Sequence, residues 1–232
     1  MQYLRDEAVK RGIILSETQL SDFLKYYESV IDYNKYVNLT SITDKIDFIE
    51  KHFLDSLAGA EFLKADASFI DVGSGAGFPA LPLKLVRPDL SVTLLDSLNK
   101  RIAFLRQAVS VLRLKNVTPL HARAEDAART PLRESFDACT ARAVAALPVL
   151  IEYASPFVRP GGIFIAYKTE ETELLSATRA AAALNLSLKT VKNYTLPSGD
   201  KRALFVFEKT APISSKYPRT EAKIRKFPLR DE

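Results

Sequence analysis

The stretch FIDVGSGAGFPALPL, residues 69–83, has the residue types of a ligand-binding turn. An apolar run typical of a buried strand comes first, and Gly73, Gly75 and Gly77 follow it. Glycine lets a backbone turn tightly and approach a ligand closely. A P-loop is excluded because no Gly-Lys-Ser/Thr follows. The spacing Gly75-x-Gly77-x-x-Ala80 matches the loop that binds a dinucleotide, although this pattern alone is weakly specific.

Two carboxylates bear on the choice of ligand. Asp71 ends the strand two residues before Gly73, where it would repel a pyrophosphate and favour a cationic group, such as the ammonium and sulfonium of S-adenosylmethionine. Asp96 ends the next apolar run, 23 residues beyond Gly73. An acid about 20 residues beyond the loop accepts hydrogen bonds from ribose hydroxyls, in NAD and S-adenosylmethionine alike. The pair favours S-adenosylmethionine, and an NAD(P)-binding oxidoreductase is the alternative.

Later strands are followed by further candidate residues. Ala124 and Glu125 come after the third predicted strand, and Arg142 comes after the fourth. Ligands of open α/β sheets lie across the carboxyl ends of the strands. We therefore expect the Ala124 backbone and the Glu125 carboxylate to meet an adenine edge, and Arg142 to reach the same rim. The alternatives are a first-turn helix acid for Glu125 and a solvated surface charge for Arg142.

The elements that must position these residues alternate between strand and helix. From residue 67 onward, seven short apolar runs are separated by helical patterns. This alternation predicts an α/β fold with a seven-stranded, mostly parallel sheet and helices on both faces. The predicted strands are SFIDV, SVTLLD, VTPLH, FDACTA, GIFIAY, LSLKTV and ALFVFE. Only a short polar segment separates the last two, so we expect an antiparallel hairpin there.

The chain divides into three predicted regions. Residues 1–65 are expected to form a helical extension, since Ser16 and Gln19 make an S-x-x-Q capping box before apolar residues at helical spacing. Residues 66–210 would form the S-adenosylmethionine-binding domain. Residues 211–232 are rich in Lys and Arg and are expected to form an extended basic tail.

Composition indicates a globular chain without membrane or disulfide signals. The 232 residues are 47% hydrophobic and 26% charged, enough for one sizeable core. Cys139 is the single cysteine, which excludes an internal disulfide and a thiolate metal cluster, and no metal site is predicted. The longest apolar run, 143–151, is far below the roughly 18 residues of a membrane span. We therefore expect a cytoplasmic protein.

The net charge of +5 favours an anionic partner such as RNA. The candidate RNA-binding residues lie near predicted strand ends, at the start of the helix after one, or in the tail: Lys100, Arg101, Arg123, Lys168, Arg202, Lys216 and Arg219. Phosphate contacts release counterions, so this set predicts RNA binding that weakens steeply with salt. A non-catalytic RNA-binding or ribosome-assembly protein is the alternative that explains the charge without a cofactor.

Several motifs together resemble one known family. They are DVGSGAGFP, the strand-end Asp96, HARAE, the ARA after FDAC, YNKYVNLT, HFLDS and KYPR. This combination is similar to the bacterial small-subunit ribosomal RNA methyltransferase G family (RsmG, formerly glucose-inhibited division protein B, GidB). The resemblance implies a class I (Rossmann-like) methyltransferase fold with an N-terminal helical extension, using S-adenosylmethionine. It also implies methylation at N7 of a guanine in the decoding-region loop of 16S rRNA, presented as rRNA, small subunit or assembly intermediate. No membrane and no obligate protein partner are indicated.

The resemblance also assigns roles to single residues. Cofactor contacts are carried over to Gly73, Phe78, Ala124, Glu125 and Arg142, beside Gly75 of the loop and Asp96 as the ribose-binding acid. Guanine N7 has no proton to lose, so the reaction requires no general base. Arg142 is then expected to position the cofactor or the guanine O6, as the candidate catalytic residue. His52 is expected to be structural, hydrogen-bonded with Asp55 or Ser56.

Three departures from the family pattern stand out. Tyr33 takes the place of a usual Trp, and Ala80 that of a common glycine. After Tyr217-Pro-Arg219, the segment TEAKIRKFPL replaces a glycine-containing stretch. This last departure concerns the tail and leaves the cofactor residues unchanged.

Overall fold

The computed structural model describes residues 1–169 and 171–229 of the chain. Within these residues the seven strands are β1 Ser68–Val72, β2 Ser91–Asp96, β3 Val117–His121, β4 Phe136–Arg142, β5 Val158–Lys168, β6 Leu186–Thr195 and β7 Lys201–Lys209. The α-helices of the same residues are α1 Gln2–Val9, α2 Glu17–Asn34, α3 Lys45–Phe48, α4 Asp55–Leu57, α5 Ala80–Val86, α6 Asn99–Val111, α7 Ala124–Ala127, α8 Leu147–Ala154, α9 Thr178–Ala183 and α10 Glu221–Lys226. A π-helical turn at Ile49–Leu54 joins α3 to α4, and 3-10 segments lie at Ala60–Phe62, Ser155–Phe157 and Glu171–Ala177.

The strands form one sheet in the order β3-β2-β1-β4-β5-β7-β6. The strands from β3 to β5 are mutually parallel, whereas β7 is antiparallel to both β5 and β6. The predicted strands and the closing hairpin are therefore confirmed. The strand order reverses between β1 and β4, and ligands of such sheets bind at the carboxyl ends beside this point.

Two apolar cores cover the two faces of the sheet, because successive side chains of a strand point to opposite faces. Phe69 of β1 and Ile165 of β5 belong to the core beneath the N-terminal helices, α5 and α6. Ile70 and Phe164 belong to the core beneath α8 and α9. Helices therefore lie on both faces of the sheet, as the strand–helix alternation predicts.

The N-terminal helices pack directly against the glycine loop. The capping box at the start of α2 forms as predicted, with Ser16 and Gln19 each accepting the other's backbone N–H. Further along α2, the buried Tyr26 hydroxyl donates to the Ala76 carbonyl at 2.5 Å. Helix α2 therefore forms one wall of the loop and shares the core of the sheet.

The expected helical extension is interrupted between residues 44 and 64. Helix α3 passes through the π turn into α4, and the continuous helical rod ends at Leu57 before a separate 3-10 turn. A π turn inserts an extra residue into the helical ladder and is frequent at functional sites. His52 lies within this turn and Asp55 begins α4. The irregular turn thus carries His52 and leads directly into Asp55.

The C-terminal segment folds back onto the body and is not the extended arm that its charge suggests. Ile213, Tyr217 and Ile224 are buried in the core that contains α8. The Arg219 guanidinium donates to both carboxylate oxygens of Glu152, which has no exposed surface. Widely spaced apolar residues therefore anchor a segment whose composition is mainly charged. The end of the predicted tail, residues 230–232, lies outside the described residues.

Among the residues described, no helix has both the length and the apolar character that crossing a membrane requires.

Candidate active site

The glycine loop after β1 is held by β2 and leaves no room for a side chain at its first glycine. Gly73 has φ +73°, and a Cβ atom there would lie 2.5 Å from Cγ2 of Val144. The backbone N–H groups of Gly73 and Ser74 both donate to the Leu95 carbonyl. The Gly75 N–H donates to Oδ2 of Asp96 at 2.9 Å. The loop is thereby fixed to the end of β2.

A crevice opens beside this loop at the carboxyl ends of β1, β2 and β3, and we call it the loop crevice. Its walls include Gly73, Asp96, Ala124, Glu125 and Val144. The sequence separately singled out four of these residues, and the structure brings those four together. Gly75 adjoins the crevice through its hydrogen bond to Asp96.

Two carboxylates of the loop crevice are nearly buried. Asp96 is 3% exposed, and its Oδ1 accepts the Leu98 N–H at 2.9 Å. Arg101 is a weaker partner, with its guanidinium 3.5 Å from Oδ2 of Asp96. Glu125 is 9% exposed in the first turn of α7. Buried carboxylates in a small recess lined by both apolar and polar residues suit the hydroxyl and amino donors of a nucleoside.

Asp71 lies beneath the glycine loop and does not line the loop crevice as the sequence led us to expect. The side chain is fully buried; Oδ1 accepts from the Thr140 hydroxyl at 2.6 Å, while Oδ2 has no hydrogen-bond partner. Burial raises the pKa of Asp71 to about 7. Strand pairing explains the position, since Asp71 stands opposite Thr140 of β4 and points into the protein.

A second recess, which we call the basic pocket, lies beyond the end of β4. It has a volume of about 400 Å³ and is lined by Lys51, His52, Asp55, Arg142, Ala143, Lys168 and Arg202, among others. Ala143 lines the basic pocket, whereas the next residue, Val144, lines the loop crevice. A single turn after β4 therefore forms part of the wall of both recesses.

Arg142 is held rigidly in the wall of the basic pocket. Its NH1 donates to the Lys51 carbonyl at 2.9 Å and to Oδ2 of Asp55 at 2.7 Å. Its guanidinium lies 5.1 Å from the centre of the Phe78 ring. Oδ1 of Asp55 accepts from the Tyr194 hydroxyl at 2.7 Å. The network joins the end of β4 to the helical extension and to the closing hairpin.

His52 takes part in this network through different partners from those expected. Its Nδ1 lies 3.2 Å from NH2 of Arg142, and its Nε2 lies 2.8 Å from the Thr40 hydroxyl. Arginine only donates, which assigns Nδ1 as acceptor and puts the ring proton on Nε2. Burial and the charge of Arg142 lower the pKa of His52 to about 3. Asp55 instead pairs with Arg142, and Ser56 donates to the His52 backbone carbonyl.

Phe78 also lies on the side of the basic pocket. It is 6% exposed and stacks on the His52 ring, with centroids 4.5 Å apart and planes 11° from parallel. Phe78 and Arg142 therefore form one layer with His52, next to the loop crevice and outside its lining. Their assigned cofactor contacts remain predictions.

The candidate RNA-binding residues fall into exposed and engaged groups. Lys100 and Lys216 are exposed. Arg123 is half exposed and pairs with Glu221 at 2.8 Å. Arg101 lies beside Asp96, as described above. These four side chains remain candidates for contact with phosphates.

The other three candidates are largely committed within the protein. Lys168 is 9% exposed in its side chain and donates to the Ala145 carbonyl and to Glu173, both at 2.7 Å. Arg202 lies 3.6 Å from the Asp55 carboxylate, and both Lys168 and Arg202 line the basic pocket. Arg219 is occupied by Glu152.

Some residues of this region were not predicted from the sequence. Lys51 and Glu173 line the basic pocket, and Tyr153, Glu221 and Arg225 line the loop crevice. HFLDS marks the segment next to Lys51, but no local pattern ties the tail or α8 to a crevice formed by β1–β3. Only the way these elements fold back could reveal them.

Comparison with known proteins identifies the family. The model of a family described as rRNA small subunit methyltransferase G matches residues 19–204. The chain belongs to this family. The Ribosomal RNA small subunit methyltransferase G of Leuconostoc citreum is 44% identical over 225 residues, covering 94% of each chain. That of Staphylococcus epidermidis strain RP62A is 43% identical over 234 residues, covering 99% of this chain and 98% of the relative.

Solved structures share the fold at much lower identity. M. jannaschii TYW2 in complex with AdoMet superposes with a TM-score of 0.53 at 15% identity, over 68% of this chain and 76% of that chain. The YcgJ protein from Bacillus subtilis gives a TM-score of 0.54 at 14% identity, over 69% of this chain and 100% of that chain. These likenesses place the chain, like its family, in the Rossmann-like methyltransferase fold.

Proposed function

We propose that this chain transfers the methyl group of S-adenosylmethionine to N7 of a guanine in the decoding-region loop of 16S rRNA. Membership of the rRNA methyltransferase family supports methyl transfer to small-subunit rRNA. The structural observation that carries the proposal is the arrangement of two recesses on either side of one turn, at Ala143 and Val144. One recess suits a nucleoside, and the other suits an acceptor base on a phosphate backbone.

The residues of the loop crevice fit the nucleoside end of the cofactor. Asp96 would accept from the ribose hydroxyls, and Glu125 and the Ala124 backbone would meet the adenine edge. Bound S-adenosylmethionine supplies an electrophilic methyl group on a sulfonium. Gly73 has no side chain, so the loop can lie against Val144. A Cβ atom at this position would collide with the Val144 side chain. Asp71 lies beneath the loop at the same end of β1, where burial raises its pKa to about 7.

The basic pocket fits an acceptor that needs orientation and no deprotonation. Its lining holds four basic residues, Lys51, Arg142, Lys168 and Arg202, against the two acids Asp55 and Glu173, and this positive excess attracts a nucleic-acid backbone. Arg142, fixed by Asp55 and Lys51, presents a rigid guanidinium to the pocket wall and would position the guanine through O6. With both lone-pair and N–H positions engaged, His52 has no free nitrogen for proton transfer. This matches attack by N7, which has a lone pair and no proton to lose.

Positioning is then the main contribution of the protein to the rate. A protein that holds the acceptor base and the cofactor in a fixed mutual orientation would remove much of the entropic barrier of a bimolecular reaction. The network around Arg142 provides such rigidity, since the helical extension, β4 and the hairpin all contribute to it. The proposed substrate, as rRNA, small subunit or assembly intermediate, places the protein in the bacterial cytoplasm.

Mass-spectrometric mapping of modified nucleosides in 16S rRNA tests this function. Bacterial cells lacking this activity should gain one 7-methylguanosine in the decoding region when they express the protein. Cells carrying the empty vector are the matched control. A new methyl group on another nucleoside would refute the N7 assignment, and unchanged rRNA with folded protein present would refute the function.

A further inference from the structure

Helix α10 forms part of the loop crevice, although every other lining residue lies at or before Tyr153 in sequence. Glu221 and Arg225, one turn apart on this helix, line the crevice together with Tyr153 of α8. Glu221 accepts from Arg123 at 2.8 Å and lies 3.1 Å from Nε of Arg225. Arg123 directly precedes Ala124, so this ion pair joins the helix to the expected adenine-binding segment.

The segment leading to α10 is anchored strongly enough to hold the helix in place. Arg219 makes a bidentate pair with the buried Glu152, and its backbone N–H donates to the same carboxylate at 2.9 Å. Arg129 donates to the Pro218 carbonyl at 2.6 Å. Within α10, Ile224 has no exposed surface. Buried apolar and charge-paired contacts therefore fix both the approach to the helix and the helix itself.

The polar side chains on the inner face of α10 form a connected group. Tyr153 is 6% exposed and lines the crevice together with Glu125, Glu221 and Arg225, and burial raises the pKa of its hydroxyl. Glu221 is 33% exposed in its side chain and Arg123 is 52% exposed, so their pair lies at the rim. Glu125, Tyr153 and Arg225 thus line the crevice together with Ala124, whose backbone is expected to meet the adenine.

We propose that α10 is the outer wall of the nucleoside site, held against it by the Arg123–Glu221 pair, and that it contributes directly to cofactor affinity. The proposal rests on the proposed function, since it takes the loop crevice as the S-adenosylmethionine site. It assigns a binding role to Glu221 and Arg225, which belong to TEAKIRKFPL, the segment in which this chain departs from the family pattern. RNA contact by the tail is a separate property and is not required.

Calorimetric titration with two probes tests this wall in the absence of RNA. S-adenosylhomocysteine carries the nucleoside and the amino acid, whereas 5′-methylthioadenosine carries the nucleoside alone. A chain ending at Thr220 keeps the Arg219 anchor and lacks α10, and it should bind both probes about tenfold more weakly. Glu221→Ala should weaken both about threefold, the size expected for a partly exposed ion pair. The matched control is Lys223→Ala, an exposed residue of the same helix, which should bind as wild type does.

The outcomes distinguish a failure of the proposed role of α10 from a failure of the proposed function. Equal affinities of wild type, Glu221→Ala and the shortened chain would overturn the wall while leaving the cofactor site intact. Weakening of S-adenosylhomocysteine alone would also overturn it, because the effect would then lie at the amino-acid end. Failure of wild type to bind either probe would instead refute the proposed function. Glu221→Ala guards against loss of folding in the shortened chain, and thermal unfolding checks both variants.

Discussion

The ionisable residues around the site differ in how many of their donor and acceptor atoms are already hydrogen-bonded to neighbouring groups. His52 resembles a catalytic base by residue type, yet Arg142 and Thr40 occupy both of its ring nitrogens. Its low pKa keeps it uncharged at neutral pH and makes it a weak proton acceptor. Arg142 in turn depends on Asp55 for its orientation. At this scale the site is a set of fixed donors and acceptors, which suits a reaction limited by alignment.

Asp71 gives the stability of the protein a specific dependence on pH. In the unfolded chain its pKa is about 4, whereas burial raises the native pKa to about 7. The native state thus holds a proton that the unfolded state has lost, and wild type should lose stability as pH rises from about 4 to about 7. Because asparagine cannot ionise, Asp71→Asn should not lose this stability. Its free energy of unfolding should exceed the pH-dependent value of wild type by roughly 4 kcal/mol at most.

Urea unfolding of both proteins at several pH values measures this difference. The free energy of unfolding of Asp71→Asn, relative to wild type, should rise across this range and level off above pH 7. Other groups titrate equally in the two proteins and cancel in the comparison. Parallel stability curves from pH 4 to pH 8 would show that Asp71 ionises normally in the native state.

At the scale of secondary-structure elements, the shape of the site depends on two turns, one at the end of β1 and one at the end of β4. The glycine loop lies so close to the turn after β4 that a side chain at position 73 would overlap the Val144 side chain. Lys168 and Glu173 hold the second turn, through the Ala145 carbonyl and the Leu147 N–H respectively. The relative position of the two recesses therefore depends on contacts between elements that are distant in sequence.

Gly73→Ala should destabilise the protein through both steric overlap and backbone strain. Overpacking costs about 1–3 kcal/mol, and a positive φ adds about 1 kcal/mol for a residue with a Cβ atom. Val144→Ala in the same chain should recover the steric part only, as measured by urea unfolding. Gly161→Ala is the matched control, because Gly161 has φ +80° and open space around its Cβ position. Gly161→Ala should cost about 1 kcal/mol, and adding Val144→Ala should recover none of it. The contact between Gly73 and Val144 would be contradicted if Val144→Ala restored stability to Gly161→Ala, or if it restored none to Gly73→Ala.

At the scale of the whole molecule, folding divides the basic residues into free and internally paired charges. Arg219 and Lys168 neutralise Glu152 and Glu173, whereas Lys100 and Lys216 face solvent. Net charge alone therefore overstates the surface available to phosphates. The exposed basic residues near the carboxyl ends of the strands are the ones expected to contact RNA.

Lys100→Glu should weaken RNA binding and reduce its salt dependence. Loss of one phosphate contact lowers the slope of log affinity against log salt by about 0.7–0.9. Lys115→Glu makes the same change in net charge at an exposed residue just before β3, at the amino end of the parallel strands, whereas Lys100 follows the carboxyl end of β2. Filter binding to a 16S rRNA fragment over a range of salt should show a larger loss for Lys100→Glu. Equal losses would indicate attraction by net charge alone, and salt-independent binding would contradict the electrostatic surface.

The sequence by itself determined the strands, the hairpin, the capping box and the glycine loop. These depend on local patterns: apolar runs, turn residues and spacing that act within one element. The resemblance to the family also implied S-adenosylmethionine and methyl transfer to rRNA, because several separate motifs matched at once. Asp96, Ala124 and Glu125 were predictable together, since parallel strands bring their carboxyl ends to one edge of a sheet.

Only the tertiary structure decided how polar side chains pair across distant segments. Asp71 was expected at the ligand but lies beneath the loop, because its direction follows from pairing with β4. His52 was matched with its neighbours in sequence, but its ring partners come from residues 40 and 142. The tail looked extended because charge dominates its composition, yet three buried apolar residues, with the Arg219–Glu152 pair, fold it over the loop crevice. The reason is physical: burial and charge pairing depend on long-range packing, which a local sequence pattern does not specify.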